Sequence, residues 1–318
     1  MKFISNYVEE YVQEPGVDGA YKAVASAART CYQTDINKMK LAPKEFCEQV
    51  LMKNGHGRPM EFGTVYLKVE IPTDMQTIDV YKYNENKYTK VNQVYDADTE
   101  HIVMYVTTNL RVLMQGDYTS DEEAWRNGYD KNWFDDLKYW CEPTEHHFRR
   151  HTFTMFMSRG CTDDFRTHIE QSSICESTRY CNYSKGKFGK ELTFIWPYWI
   201  DASQMDDFNN GRGGLYEAYR KMLAGNCTFD MGNKDATVMV QYHVEEECYL
   251  NTVDENMLGL KPEQAKRFFP LGGKAELRLC GFDDAWRNFF WRRCDGHADP
   301  ECQKTAEMIR KIYFSKER

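Results

Sequence analysis

The chain has no apolar run long enough to span a membrane, and its first residues, Met1-Lys2-Phe3-Ile4-Ser5-Asn6-Tyr7, hold no long hydrophobic stretch. A soluble, cytoplasmic protein with no membrane partner is therefore expected. Basic charge is also scarce. The formal net charge is −8 and the pI is near 5.6, which argues against binding to a nucleic-acid polymer. A small anionic ligand needs only a local basic pocket, so a nucleotide site stays open. There is no Cys-x-x-Cys pair and no cysteine–histidine cluster, so no metal is expected. The 11 cysteines are odd in number and scattered, which excludes a complete internal disulfide framework and reads as reduced thiols. His146, His147 and His151 could place two imidazoles on one helical face. A polar lead into a strand is the better reading, because Thr152-Phe153-Thr154-Met155-Phe156-Met157 alternates with the strand period. No internal repeat or low-complexity linker is present, and 318 residues suffice to bury a substantial core.

Local patterns divide the chain into helices and strands. Val17–Arg29 reads as a helix with Asp18 as a possible cap, and a second runs from Pro43 toward Lys53 with Gly55 as its stop. Gly63–Ile71 and His101–Thr108 are rich in β-branched and aromatic residues and read as strands, with a short helix following at Asn109–Met114. Between them, residues 72–100 look like an inserted hairpin or long connection. Asp121–Trp140, acidic and aromatic, reads as packed irregular helices. From Thr162 the pattern turns helical, with Thr162 or Asp163 as cap, and would present His168, Ser172 and Cys175 on one wall. Helices are expected at Leu215–Leu223, Gln241–Leu250, Lys261–Phe269 and Ala285–Arg293, and a strand at Lys274–Cys280. A last helix begins at Asp299-Pro300-Glu301, with Ala306, Ile309, Ile312 and Tyr313 as its apolar stripe.

The densest chemistry lies in Glu176-Ser177-Thr178-Arg179-Tyr180-Cys181-Asn182-Tyr183-Ser184. An arginine fork beside serine and threonine hydroxyls suits a phosphorylated, hydrogen-bonding ligand. Reading outward, His168, Ser172, Ser177, Arg179 and Tyr180 stand at the spacing of a known signature: Arg-His-Arg, a serine, then Ser-x-Arg-Tyr. This region resembles the flavin-dependent thymidylate synthases. Thr167 and Ile169 occupy the places of the two signature arginines, with Arg166 one position upstream. Asn288, Arg293 and His297 recur at the spacing of that family's carboxy-terminal motif. Ala265-Lys266-Arg267-Phe268-Phe269-Pro270 resembles the segment that supplies a phosphate-binding arginine, with Lys266 at that position. The amino-terminal third joins through Gln13-Glu14-Pro15-Gly16, Ala28-Arg29-Thr30-Cys31-Tyr32 and Gly55-His56-Gly57-Arg58-Pro59-Met60-Glu61-Phe62, where Phe62 replaces the usual histidine.

The resemblance implies an α/β fold, a single domain over residues 1–318 with a mixed sheet flanked by helices and an insertion around 72–140, assembled as a homotetramer. It implies FAD as cofactor and NADPH and methylenetetrahydrofolate as co-substrates. The implied reaction transfers a one-carbon group to C5 of a pyrimidine nucleotide, most simply dUMP to dTMP. By position, Ser177 and Arg179 would hold the nucleotide phosphate, aided by Lys266, with Asp164, Cys175, Glu176 and Thr178 along the same nucleotide wall. Arg293 would contact the pyrimidine edge and stabilise charge developing on the ring. His168, Asn288 and His297 would contact FAD. Asp164 and Cys175 replace the amide or glutamate groups usual on the nucleotide wall, so the same chemistry on dCMP is an alternative. The Thr167 and Ile169 changes leave open a non-catalytic nucleotide-binding homologue without flavin.

Overall fold

Residues 1–33, 40–72, 83, 87–115, 135–225, 230 and 232–315 are described in a computed structural model. Among them the strands are β1 (Lys2–Ile4), β2 (Tyr7–Tyr11), β3 (Thr64–Pro72), β4 (Lys90–Asp96), β5 (His101–Asn109), β6 (Arg150–Ser158), β7 (Ser172–Cys175), β8 (Thr193–Ile195) and β9 (Lys274–Phe282). The architecture is mixed α/β, as expected. Antiparallel and parallel pairing fall in separate sheets: β2-β6-β9-β7 and β3-β5-β4 are antiparallel, while β1 and β8 pair in parallel.

β6 and β9 lie inside the four-stranded sheet, paired along both edges, and most of their residues are buried. One face sends Phe153, Met155, Leu277 and Leu279 into a core shared with Trp286, Phe289 and Ile309, from the helices Asp283–Arg293 and Pro300–Phe314. The opposite face of β9 carries Lys274, Glu276 and Arg278. Arg278 Nη1 donates to Ser26 Oγ at 2.9 Å, and Glu276 accepts from Thr30 Oγ1 at 2.8 Å and Gln33 Nε2 at 2.7 Å. This row fastens the sheet to the helix Gly16–Tyr32 and its C-terminal cap. That helix also packs on the β3-β5-β4 sheet through Ala20, Val24 and Ala28. Gly63 makes the approach possible, since a Cβ there would lie 2.8 Å from both the Ala20 carbonyl oxygen and Val24 Cγ2. Phe62 is buried against Ala27, Ile174 and Cys280 and acts as core at this junction.

Two sequence expectations need correction. The helix expected from Thr162 to Cys175 is Arg159–Arg166, capped by Ser158, whose Oγ accepts from the Cys161 N–H at 3.3 Å. It ends there because Ser172–Cys175 is drawn into an edge strand, pairing Ser172 with Cys280 and Cys175 with Leu277. His168 therefore sits in the connection, and Ser172 and Cys175 belong to the sheet. The helix beginning at Pro43 is α-helical only to Phe46 and continues in π-helical form over Cys47–Met52. The final helix is capped by Asp299, and Gly55 has the positive φ of a helix stop. Of the segment 72–100, residues 73–82 and 84–86 lie outside the described residues, and 90–96 form β4. The expectation for Asp121–Trp140 lies outside them up to residue 134; Asp135–Tyr139 is a 3-10 turn. No helix among the described residues is long and apolar enough to cross a membrane.

Candidate functional site

The connection after Arg166 and the last turns of the Asp283–Arg293 helix face each other across a cavity of ≈ 680 Å³. His168, Asn288, Arg293 and His297 all line it, so residues more than a hundred positions apart in sequence converge there. Arg293 is held in place by three acceptors. Its Nε donates to His168 Nε2 at 2.9 Å, and its Nη2 donates to the Asp164 carbonyl at 2.5 Å and to Thr167 Oγ1 at 3.0 Å. Nη1 has only a 3.9 Å approach to Asp164 Oδ1. Burial first, then the charges of Arg293 and Arg292, push the His168 pKa down to about 4. The ring is therefore neutral at pH 7. Since Nε2 accepts from Arg293, the proton sits on Nδ1. Phe289 backs the ring at 4.9 Å between centroids. Asn288 donates to Glu170 and accepts from Arg292 Nε at 3.2 Å. Ile169 and Trp291 leave large apolar surfaces exposed beside the cavity.

The phosphate-type turn lies apart from that cavity and is anchored from below. The Ser177 N–H donates to the Cys31 carbonyl at 3.1 Å, and Tyr180 packs on Tyr32 at 4.8 Å. Ser177 Oγ accepts from the Arg179 N–H at 3.3 Å, while the exposed Arg179 guanidinium has no hydrogen bond or ion pair among the described residues. Thr178 is half-buried in the same turn.

Glu176 turns inward and is 1% exposed. Its carboxylate accepts from Lys274 Nζ at 2.6 Å, from the Glu276 N–H at 3.0 Å and from the Tyr183 hydroxyl. Burial and that carboxylate push the Tyr183 pKa up, so the phenol stays a donor. Cys175 is held at its Sγ by Arg159 Nη1 at 3.1 Å, and burial pushes its pKa up despite that cation. A neutral thiol is the result. Asp164 is half-exposed and accepts from Cys302 Sγ at 3.6 Å. Lys266 stands exposed on a 3-10 turn, with no hydrogen bond or ion pair to Ser177 or Arg179 among the described residues.

A second cleft, of ≈ 520 Å³, lies between these two regions. Cys31 and Tyr32 line it beneath the Ser177 turn, and His56, Arg58, Lys87 and Arg111 add positive charge or donors. Arg111 is bonded to the buried Glu61. That Lys87 and Arg58 line one cleft was not evident from sequence. Lys87 stands in a polar, tyrosine-rich stretch without periodicity, and a pair of cations 29 residues apart gives no spacing signal. Next to the first cavity but not lining it, Cys161, Asp299 and Cys302 bring three donor atoms within 4.8 Å of one another, with Asp299 Oδ1 also capping the last helix.

No curated protein sequence matches the chain. Among solved structures, the UMP/dUMP methylase PolB from Streptomyces cacaoi, bound with 5-Br dUMP, is similar at 13% sequence identity and a TM-score of 0.39. That similarity covers 99% of this chain and 93% of the methylase chain. The family model described as thymidylate synthase complementing protein matches residues 141–316. That span contains the Ser177 turn and both segments that meet at His168 and Arg293, and it is more than half of the chain: the protein belongs to the thymidylate synthase complementing protein family.

Proposed function

We propose that this protein is an enzyme that transfers a one-carbon group from methylenetetrahydrofolate to C5 of a pyrimidine deoxynucleotide with the help of FAD and NADPH, most simply converting dUMP to dTMP. The observation that carries the reading is the Arg293–His168 pair, which joins the two motif segments at one cavity that Asn288 and His297 also line.

Each side chain then has a physical task. Arg293 is fixed at Nε and Nη2, so Nη1 is the donor left for the pyrimidine edge, where a preorganised cation lowers the energy of negative charge building on the ring. Arg179 and Ser177 hold the nucleotide phosphate, the guanidinium offering a two-pronged match to its oxygens. Lys266 adds a point charge when a neighbouring subunit of a homotetramer or a shift of its turn brings it near. Glu176 acts as a positioning residue beneath the turn. Asp164, Cys175 and Thr178 shape the nucleotide wall.

The residues present fit a flavin. His168 presents Nδ1–H and holds no positive charge, Asn288 and His297 add polar contacts, and Trp291 offers an exposed aromatic face beside the cavity. FAD, when bound, supplies the hydride chemistry; the chain contributes binding, orientation and exclusion of water. Neutral Cys175 needs no role as a nucleophile.

The test is a visible absorbance scan of the purified protein with added FAD, followed by separate incubations of dUMP and dCMP with methylenetetrahydrofolate and NADPH, the products being resolved by chromatography. dTMP is the expected product. Absence of flavin binding refutes the synthase reading and leaves a nucleotide-binding homologue. Turnover of dCMP alone refutes the dUMP assignment.

A further inference from the structure

The family signature places two arginines beside the histidine, and here Thr167 and Ile169 leave those charges out. Ile169 nevertheless has a cation next to it. Lys87 Nζ donates to the Ile169 carbonyl at 3.2 Å and reaches it from the other side, across the cleft that Lys87 and Arg58 line. Ile169 lines the histidine cavity, so its backbone stands where the two spaces meet. Neither Lys87 nor Arg58 is ion-paired with a carboxylate among the described residues. Arg111, the third cation, is already bonded to Glu61. Burial, followed by the neighbouring charges of Arg58 and Arg111, pushes the Lys87 pKa down against the opposing effect of Glu61. Lys87 and Arg58 are both open to solvent on one wall of the cleft, and an anion entering between them relieves their mutual repulsion.

We propose, on the basis of the flavin reading above, that Lys87 and Arg58 form an anion site for the pyrophosphate of a flavin dinucleotide and replace the charge absent at Thr167 and Ile169. Arg58 supplies a fork for two phosphate oxygens, and Lys87 a compact charge that bonds phosphate while steadying the Ile169 peptide. The Tyr32 ring, packed on Tyr180, forms the neighbouring wall. The pyrimidine nucleotide also carries phosphate, so the test separates the two ligands.

FAD affinity is measured by quenching of flavin fluorescence, dUMP and inorganic pyrophosphate affinities by calorimetry, and fold integrity by thermal unfolding, for the wild type, Lys87→Met, Lys87→Arg and Arg58→Gln. Loss of one charge-assisted bond predicts FAD binding weakened about tenfold or more in Lys87→Met and Arg58→Gln. Lys87→Arg should stay near wild type, and dUMP affinity should not move. Pyrophosphate should compete with FAD in the wild type and bind poorly to Lys87→Met. A loss confined to dUMP overturns the proposal and makes the cations a nucleotide-phosphate site. Unchanged affinities with a lowered melting temperature also overturn it, leaving Lys87 as a brace for the Ile169 loop. If the wild type binds pyrophosphate through Lys87 but binds no FAD, the anion site stands and the flavin assignment falls. If it binds no pyrophosphate, the site itself is refuted.

Discussion

Replacing Glu176 by alanine tests whether that carboxylate is a nucleotide ligand or a post beneath the nucleotide turn. The substitution strands three donors at once: Lys274 Nζ, the Glu276 N–H and the Tyr183 hydroxyl. The Lys274 and Glu176 side chains are only 15% and 1% exposed, so little water is available to replace the lost acceptor. Breaking a buried pair from one side costs about 3–5 kcal/mol, a large part of the roughly 5–15 kcal/mol that holds a domain folded. Glu176→Gln keeps an acceptor and should lose about 1.5–3 kcal/mol. Combining Glu176→Leu with Lys274→Met removes both charges and should destabilise less than the sum of the single changes. Urea unfolding followed by tryptophan fluorescence gives these differences, and dUMP titration of the folded variants gives the affinity. The expected result is a lower unfolding midpoint, with nucleotide affinity weakened through a displaced Ser177 turn. An alanine variant as stable as wild type but unable to bind dUMP would refute the reasoning and make Glu176 a direct ligand.

Arg293→Ala should leave the protein folded, with a melting temperature lowered by the loss of three hydrogen bonds, and abolish turnover, read by dTMP formation; normal turnover removes Arg293 from the proposed chemistry. His151 gives a pH-dependent prediction. Burial opposes its charge, but hydrogen bonds to Asp283 Oδ1 at 3.1 Å and Glu10 Oε1 at 3.5 Å outweigh that and raise its pKa to about 9. A folded value above the unfolded one stabilises fully below about pH 6.5 and is lost as pH rises toward 9. The melting temperature should therefore fall across that window in the wild type and fall less in His151→Phe; equal slopes would contradict the assignment. Gly63→Ala should cost about 1–3 kcal/mol in urea unfolding, because the new methyl meets the Ala20 carbonyl. An unchanged midpoint would show that the Gly16–Tyr32 helix can move aside.

Where local chemistry decides structure, the sequence was legible. Alternation in Thr152–Met157 and Lys274–Cys280 marks the central strands, and Asp299-Pro300-Glu301 marks the start of the last helix. β7 escaped because Ser172 and Ser173 have weak strand preference, and their conformation comes from pairing with a strand about a hundred residues away. The site was legible as two spaced motifs, through family resemblance. That Arg293 bonds His168, that Glu176 faces Lys274 and that Lys87 reaches Ile169 depends on tertiary geometry, for which the linear pattern holds no cue. A carboxylate beside Ser177 is legible as a candidate ligand, whereas its pairing with Lys274 is not legible at all.

The charged row on β9 also guards against mispairing. Alternation of inward and outward residues penalises a one-residue slip, which turns every side chain to the wrong face, but a two-residue slip preserves that alternation. Here it would bring Glu276 to the place where Lys274 meets Glu176, setting carboxylate against carboxylate. Arg278 would then stand where Glu276 accepts from Thr30 and Gln33, removing that carboxylate acceptor and leaving Ser26 without its arginine donor. The polar face thus rejects the even-numbered errors that the apolar face cannot detect, and it keeps the strand under the Ser177 turn in one alignment.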